Sequence, residues 1–346
     1  MIRFAWQQTR NQTLIAYGLL AIVVIAAIAT GIQLSHLYDS EVAHCQPSCS
    51  LAAQNYLAHD DFMDKTLDIL SRAVPALLGL FWGAPMLARE FETGTYRFAW
   101  TQSVPRSRWL AIRFGVGALA TLTLATLFSL TVTWWYRSRD KVGSNMYDVF
   151  DRRDIAPIGY ALFAFAAGVM VGALIRRTVP AMAATLGLFV LTRVAVDLWV
   201  RPHLLAAKHA VVTLARQGPV QLGIGSSNGG AVHILTQGGG PPNSWTLSST
   251  LLTQSGQRVT SSQMTAFLQQ HCPLLVNGTP PPSGGNPAND PWPQCLDEVS
   301  KTFKLEVAYQ PASRYWTFQW LETAVFVVLA LVATALTYWW ITRRAR

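Results

Sequence analysis

Six runs of about twenty apolar residues, each bounded by charged or polar segments, constrain this chain more than any other feature. A hydrocarbon layer roughly 30 Å thick is crossed by about 20 helical residues, and an open chain satisfies its backbone polar groups there only as helices. The runs fall at 13–33, 73–88, 109–135, 156–175, 179–200 and 316–341. The 73–88 run is short and holds Pro75 and Pro85, features that tilt and neighbouring helices accommodate. The first run exceeds the roughly 7–15 apolar residues of a secretory signal, so it is expected to remain as a span. Composition agrees, because only 13% of the 346 residues are charged, against about 25% in soluble domains. The expected fold is an all-α polytopic membrane protein of about six transmembrane helices.

Short loops rich in Lys and Arg favour the cytoplasmic side. Arg3 and Arg10, then Arg89, Arg97, Arg106 and Arg108, then Arg176 and Arg177, and finally Arg343, Arg344 and Arg346 all fall on one side of such a bundle. The expected topology is therefore N-in and C-in. The 34–68 segment on the other side is acidic, with Asp39, Glu41, Asp60, Asp61, Asp64 and Asp68 against Lys65. The 137–155 loop runs against the pattern. Its Arg137, Arg139, Lys141, Arg152 and Arg153 lie on the outer side, nearly balanced by Asp140, Asp148, Asp151 and Asp154. Cys45, Cys49, Cys272 and Cys295 all sit in outer segments, where an oxidising compartment lets them pair. Four cysteines allow three connectivities; local pairs, Cys45 with Cys49 and Cys272 with Cys295, are preferred. The formal charge of +9 is spread over span-flanking positions and forms no basic stripe for nucleic acid. Trp134, Trp135, Trp199, Trp316, Trp320, Trp339 and Trp340 mark span ends, where amphipathic rings sit.

The chain divides into an interfacial N-terminal helix at 1–12, five spans over 13–200, an extracytoplasmic domain at 201–314 and a last span with its tail at 315–346. The domain between the fifth and sixth spans reads as small, mixed α/β and disulfide-stapled. Its expected elements are a helix from His203 to Arg216, a Gly-rich run at 218–243 and a strand pair around Trp245 to Val259. A Ser261-Ser262 cap then leads a helix to His271, and a Pro/Gly/Asn loop at 273–293 precedes a helix and strand from Leu296 to Tyr309.

The segment 88–109 is the most informative. Arg89, Glu90 and Glu92 follow the second span, and Gly94 is placed to end that helix in a left-handed cap. Beyond it Arg97, Arg106 and Arg108 alternate with Phe98, Trp100 and Trp109, a mixture that lies flat at an interface with its charges in water. Such a segment can carry force to a cytoplasmic partner, or be an ordinary charged loop. The pattern A-R-E-x-E-x-G-T-x-R-x-x-W-T-Q-S-V-x-R-x-R-W, Ala88 to Trp109, resembles the loop between the second and third helices in membrane subunits of type-2 ABC exporters, particularly actinobacterial ones. Tyr309 to Glu322, YQPASRYWTFQWLE, is similar to the same group where it enters the last span.

The resemblance implies a permease half in a bacterial plasma membrane, paired with a second permease copy. It would be driven by cytoplasmic ABC ATPase subunits that hold the ATP and magnesium. By motif position it gives Arg89, Glu90, Glu92, Gly94, Thr95 and Arg97 the coupling role. Consistently, the sequence contains no G-x-x-x-x-G-K-[ST] phosphate loop, so this chain is expected to be no enzyme and to bind no cofactor itself. Lipid surrounds it, and its apolar spans suit an amphipathic or hydrophobic cargo such as a drug, lipid or peptide. The rival reading is a membrane-anchored sensor or assembly protein whose outer domain binds a ligand.

Within the spans, Arg193 and Asp197 share a helix face at i, i+4. A charge at this depth requires a partner or a wet cavity, so they read as an ion pair fixing helix packing or as a polar lining of a substrate route. Glu322 reads as an anion near a helix N-terminus. The hydroxyls Thr121, Thr123, Thr126, Ser129, Thr131 and Thr133 of the third span read as packing residues. No catalytic or metal site is expected. Gly225-Ser226-Ser227-Asn228-Gly229 matches G-x-S-x-G, with His233 or His271 as formal bases, but lacks the strand-to-helix context. His44 beside Cys45 and Cys49 lacks zinc spacing. Asn277-Gly-Thr279 is a formal glycosylation sequon.

Overall fold

The computed structural model describes residues 2–45, 49–94, 105–143, 145–213, 220–226, 232–238, 240–241, 243–273 and 291–343. It divides into two compact units, Met1–Leu204 with Trp316–Arg346, and Leu205–Tyr315.

The first unit is helical. Its elements are α1 (Ile2–Leu37), α2 (Ser50–His59), α3 (Asp61–Leu78), α4 (Ala84–Thr93), α5 (Arg106–Asp140), α6 (Ala156–Ile175), α7 (Thr178–Ala195) and α10 (Tyr315–Arg343). Six helices are long and apolar enough to cross a membrane: Leu14–Val42, Asp61–Thr93, Ser107–Asp140, Ala156–Ile175, Thr178–His203 and Ala312–Arg343. Three of them contain a π-turn, at Tyr38–Val42, Gly79–Gly83 and Val196–Val200.

Two expectations about helix ends change. No break separates a 1–12 helix from the first span, because α1 runs on uninterrupted. The second span begins near Asp61 rather than at 73. Met63, Leu67, Ser71, Pro75 and Leu78 of α3 are buried at three- and four-residue spacing, an amphipathic stripe that Asp61, Asp64 and Asp68 conceal from a search for continuous apolar residues. Those carboxylates also resolve the anomaly of the 137–155 loop. Arg152 meets Asp68 at 2.8 Å and Asp64 at 3.7 Å, and Arg153 meets Asp140 at 2.7 Å. Arg139 donates to the Leu57 carbonyl at 3.2 Å.

Helix α6 is the hub, with 72% of its apolar window buried. Small residues allow its backbone to touch the second span: Ala164, Gly168 and Gly172 face Gly79, Gly83 and Ala84, the close-packed mode used where lipid supplies no hydrophobic drive between helices. The π-turn at Gly79–Gly83, followed after Ala84 by Pro85, lies in this contact. Several third-span hydroxyls meet neighbouring elements, whereas the Thr131 hydroxyl bonds the Leu127 carbonyl of its own helix. Thr121 and Ser129 are buried, Thr123 bonds Tyr17 of α1, and Thr133 accepts from the Asp154 amide at 2.8 Å.

The second unit holds a three-stranded antiparallel sheet, order β1-β5-β4, made of β1 (Lys208–Thr213), β4 (Trp245–Thr253) and β5 (Phe303–Gln310). A separate antiparallel pair joins β2 (Val220–Ser226) to β3 (Val232–Gly238). The expected helix from His203 to Arg216 is therefore corrected. The β-branched Val211, Val212 and Thr213 favour extended backbone, and β1 pairs with β5 from Lys208↔Tyr309 to Thr213↔Lys304. In the Gly-rich run, Val220, Leu222 and Ile224 alternate with small or polar residues, which is strand periodicity. The expected strand pair around Trp245 to Val259 is one strand, a turn with Gly256 at φ 86°, and a single bridge from Leu252 to Arg258.

Helix α8 (Ser261–His271) starts one residue earlier than expected at its cap. Thr260 and Gln263 form a capping box, satisfying two otherwise orphaned amides. With α9 (Pro291–Thr302) it covers a core of Met264, Leu268, Val299, Phe303, Leu305 and Val307. Both expected disulfides are present, Cys45–Cys49 and Cys272–Cys295, and the second lies in this core. Most of the expected 273–293 loop, Ser227 and Asn277 lie outside the described residues. Cys272→Ser is expected to destabilise this unit by about 3 kcal/mol through loop closure alone, and Cys45→Ser by about 2 kcal/mol locally. Trypsin resistance of the 205–315 region in the full-length protein measures the first; unchanged resistance would remove the staple from the account.

Candidate functional site

Two polar clusters sit at opposite ends of α6, whose 20 residues span about 30 Å at 1.5 Å per residue. The first lies where α4 ends. Glu90 is buried and pairs with Arg113 of α5, each side chain at most 15% exposed. Glu92 is exposed on its surface, yet its Oε2 accepts from the Thr178 amide at 2.9 Å and the Thr178 hydroxyl at 2.6 Å. Thr178 is the first residue of α7, and Arg177 before it supplies no side-chain cap. Glu92 thus places an anion at a helix N-terminus from a neighbouring element, the arrangement favoured by exposed amides and dipole. Arg176, in left-handed backbone at φ 59°, lies 5.4 Å over the Phe91 ring. The end of the second span is thereby fastened to the third span by Glu90 and to the fifth by Glu92.

The remaining expected coupling residues separate. Arg89 is exposed, and Gly94 adopts the left-handed cap at φ 73°. Thr95 and Arg97 lie outside the described residues. Neither carboxylate points freely into solvent: Glu90 and Glu92 hold helices.

The second cluster gathers where α6 begins, the fifth span ends and α10 starts. Glu322 is fully buried. It accepts from Arg201 Nε at 2.6 Å, Arg193 Nη1 at 3.1 Å and the Tyr160 hydroxyl at 2.6 Å. Asp151 pairs with both guanidinium groups, with Arg193 at 3.3 Å. Burial pushes the Asp151 carboxyl up, but Arg201 and Arg193, by charge and hydrogen bonding, hold it below the ordinary aspartate value. Arg193 also stacks 3.8 Å above the Tyr160 ring and Arg201 4.7 Å above Phe150. Gln319, one turn before Glu322, accepts from the Ala156 amide at 2.9 Å and donates to the Phe150 carbonyl at 3.0 Å.

The expected Arg193–Asp197 pair does not form. Asp197 pairs instead with Arg201 at 2.5 Å, and Arg193 turns to Glu322 and Asp151. A carboxylate with no access to water demands compensation more strongly than Asp197, which keeps 46% of its side chain exposed. The π-turn also begins at Val196, between the two residues, and disturbs the α-helical stagger on which their pairing depends. Glu322 is correspondingly more than a helix N-terminal anion. Asp151, Tyr160 and Gln319 carry no local pattern in the sequence that marks them as site residues. One signal pointed to Arg201: Arg193, Asp197 and Arg201 recur at four-residue steps.

Among the described residues no group of three or more His, Cys, Asp or Glu could hold a metal ion. The family described as ABC-2 membrane transporter related matches residues 17–201. No curated protein and no solved structure matches the chain.

Proposed function

The chain belongs to the ABC-2 membrane transporter related family, and from that premise we propose that it is the transmembrane subunit of an ATP-driven exporter. It pairs with a second permease copy in a bacterial plasma membrane and is powered by separate cytoplasmic ABC ATPase subunits. Those subunits supply ATP and magnesium and dock against the 88–109 segment. The cargo is amphipathic or hydrophobic, a drug, lipid or peptide, and moves outward.

The observation that carries the coupling reading is the double fastening of α4. A push on the end of the second span acts on α5 through Glu90–Arg113 and on α7 through Glu92–Thr178. Among the described residues of α4, Arg89 is exposed and open to a partner. The N-in orientation is supported by the count of basic residues beside the spans, which is higher on the side of the termini, the 88–109 segment and the Arg176-Arg177 turn than in the 137–155 loop.

The test is affinity purification of the tagged protein from its native cell, followed by transport in proteoliposomes. A phosphate-loop ATPase is expected to co-purify. Arg89→Glu is expected to shed it at unchanged thermal stability, because the side chain is exposed. If the wild type retains no ATPase and Arg89→Glu transports normally, the exporter reading fails. The sensor reading would then lead, and it requires that deletion of 205–315 abolish function.

A further inference from the structure

We propose that the fifth span is a strut joining the two clusters, and that the π-turn Val196–Val200 is the switch by which release of the Glu92 hold on Thr178 opens the charge lock around Glu322. The inference rests on the exporter reading for its trigger but not for its mechanics.

Each end of the strut is held by neighbouring elements. At Thr178 the cap comes from Glu92 of α4. At the other end Arg193 and Arg201 converge on Glu322 of α10 and on Asp151 before α6. Residues 178 to 201 cover about 35 Å of helix. The π-turn lies between the two arginines. Such turns are single-residue expansions of an α-helix and recur at functional sites. Returning it to α-helical bonding removes one residue of slack, which turns everything beyond it by about 100° and shifts it by about 1.5 Å. Arg193, before the turn, keeps its place, while Arg201 swings off Glu322. In the locked form two guanidinium groups and the Tyr160 hydroxyl satisfy Glu322. Unlocked, Glu322 keeps one cation, and a buried carboxylate so depleted draws in water. The packed cluster therefore has two arrangements rather than a continuum, as transmission along a rigid element requires.

All four native cysteines are in disulfides, so Thr323→Cys introduces a lone reactive thiol. The Thr323 hydroxyl is buried on the same turn of α10 as Glu322, with its Cγ2 against Gly159 of α6, and the replacement is nearly isosteric. The full-length protein, with its ATPase, is placed in lipid nanodiscs and labelled with a membrane-impermeant maleimide. Asp151→Asn, which loosens the lock locally, is expected to raise the labelling rate at least tenfold. Glu92→Ala, at the far end of the strut, is expected to raise it roughly fivefold, the population shift that loss of a helix cap supports. Distant sites that do not communicate leave one another unaffected. Labelling that rises with Asp151→Asn but stays within twofold for Glu92→Ala overturns the strut. Labelling that rises with neither overturns the lock. A response to Glu92→Ala without any response to ATP would count against the exporter reading and leave the strut standing.

Discussion

Arg201→Ala is expected to destabilise the helical unit by about 3–5 kcal/mol, the cost of leaving a buried carboxylate without its partner. Arg201 makes two hydrogen bonds to Glu322, at 2.6 and 2.7 Å, and pairs with Asp151 and Asp197 as well. Removing it leaves Arg193 alone to balance Glu322 and Asp151. The remedy follows from the same count. Glu322→Gln added to Arg201→Ala leaves Arg193 with Asp151, a neutral pair, so the double substitution is expected to be more stable than Arg201→Ala alone. Thermal melting in detergent, followed by size-exclusion chromatography of the surviving fraction, orders the three proteins. An unchanged midpoint for Arg201→Ala would mean that water already solvates Glu322, and the lock would have no basis.

The second large effect is steric. A Cβ at position 168 would overlap the Gly79 carbonyl oxygen and lie 2.8 Å from the Ala84 nitrogen and 3.0 Å from Gly83 Cα. These are backbone atoms and cannot turn aside. Gly168→Ala is expected to cost at least the 1–3 kcal/mol of overpacking, the upper end being nearer because the neighbours are main chain. Gly168→Val is expected to yield no monodisperse protein. Gly187 offers the contrast, since nothing lies within 4 Å of a Cβ there, and Gly187→Ala is expected to be neutral or stabilising by about 0.5–1 kcal/mol. Equal yields of the Gly168 and Gly187 variants would show that α6 does not pack backbone to backbone on the second span.

The functional segments were easier to find than to interpret. Glu90 and Glu92 stood out because they flank a span end and match an exporter motif, yet their carboxylates hold Arg113 and the start of α7. The segment Tyr309 to Glu322 stood out by its letters. Its physical content is an inward stripe in which Phe318, Gln319 and Glu322 are fully buried while Trp316 and Trp320 are exposed. That stripe follows from 3.6-residue periodicity, but an entering helix with outward tryptophans conceals it. The β1 strand is hidden for a related reason: Ala206 to Ala210 suits a helix locally, and only pairing with β5 decides otherwise.

Sequence alone determined the properties that depend on composition along the chain. Six apolar runs set the six candidate spans, because lipid thickness fixes helix length. The glycine at 94 set a helix end, because left-handed backbone penalises a side chain, and the placement of four cysteines pointed to the two disulfides. Tertiary structure decided which charges meet. Arg193 can reach Asp197 by spacing, but a carboxylate 129 residues away in the chain captures it, because burial multiplies the value of each unit charge and no local pattern records how deep a side chain will lie.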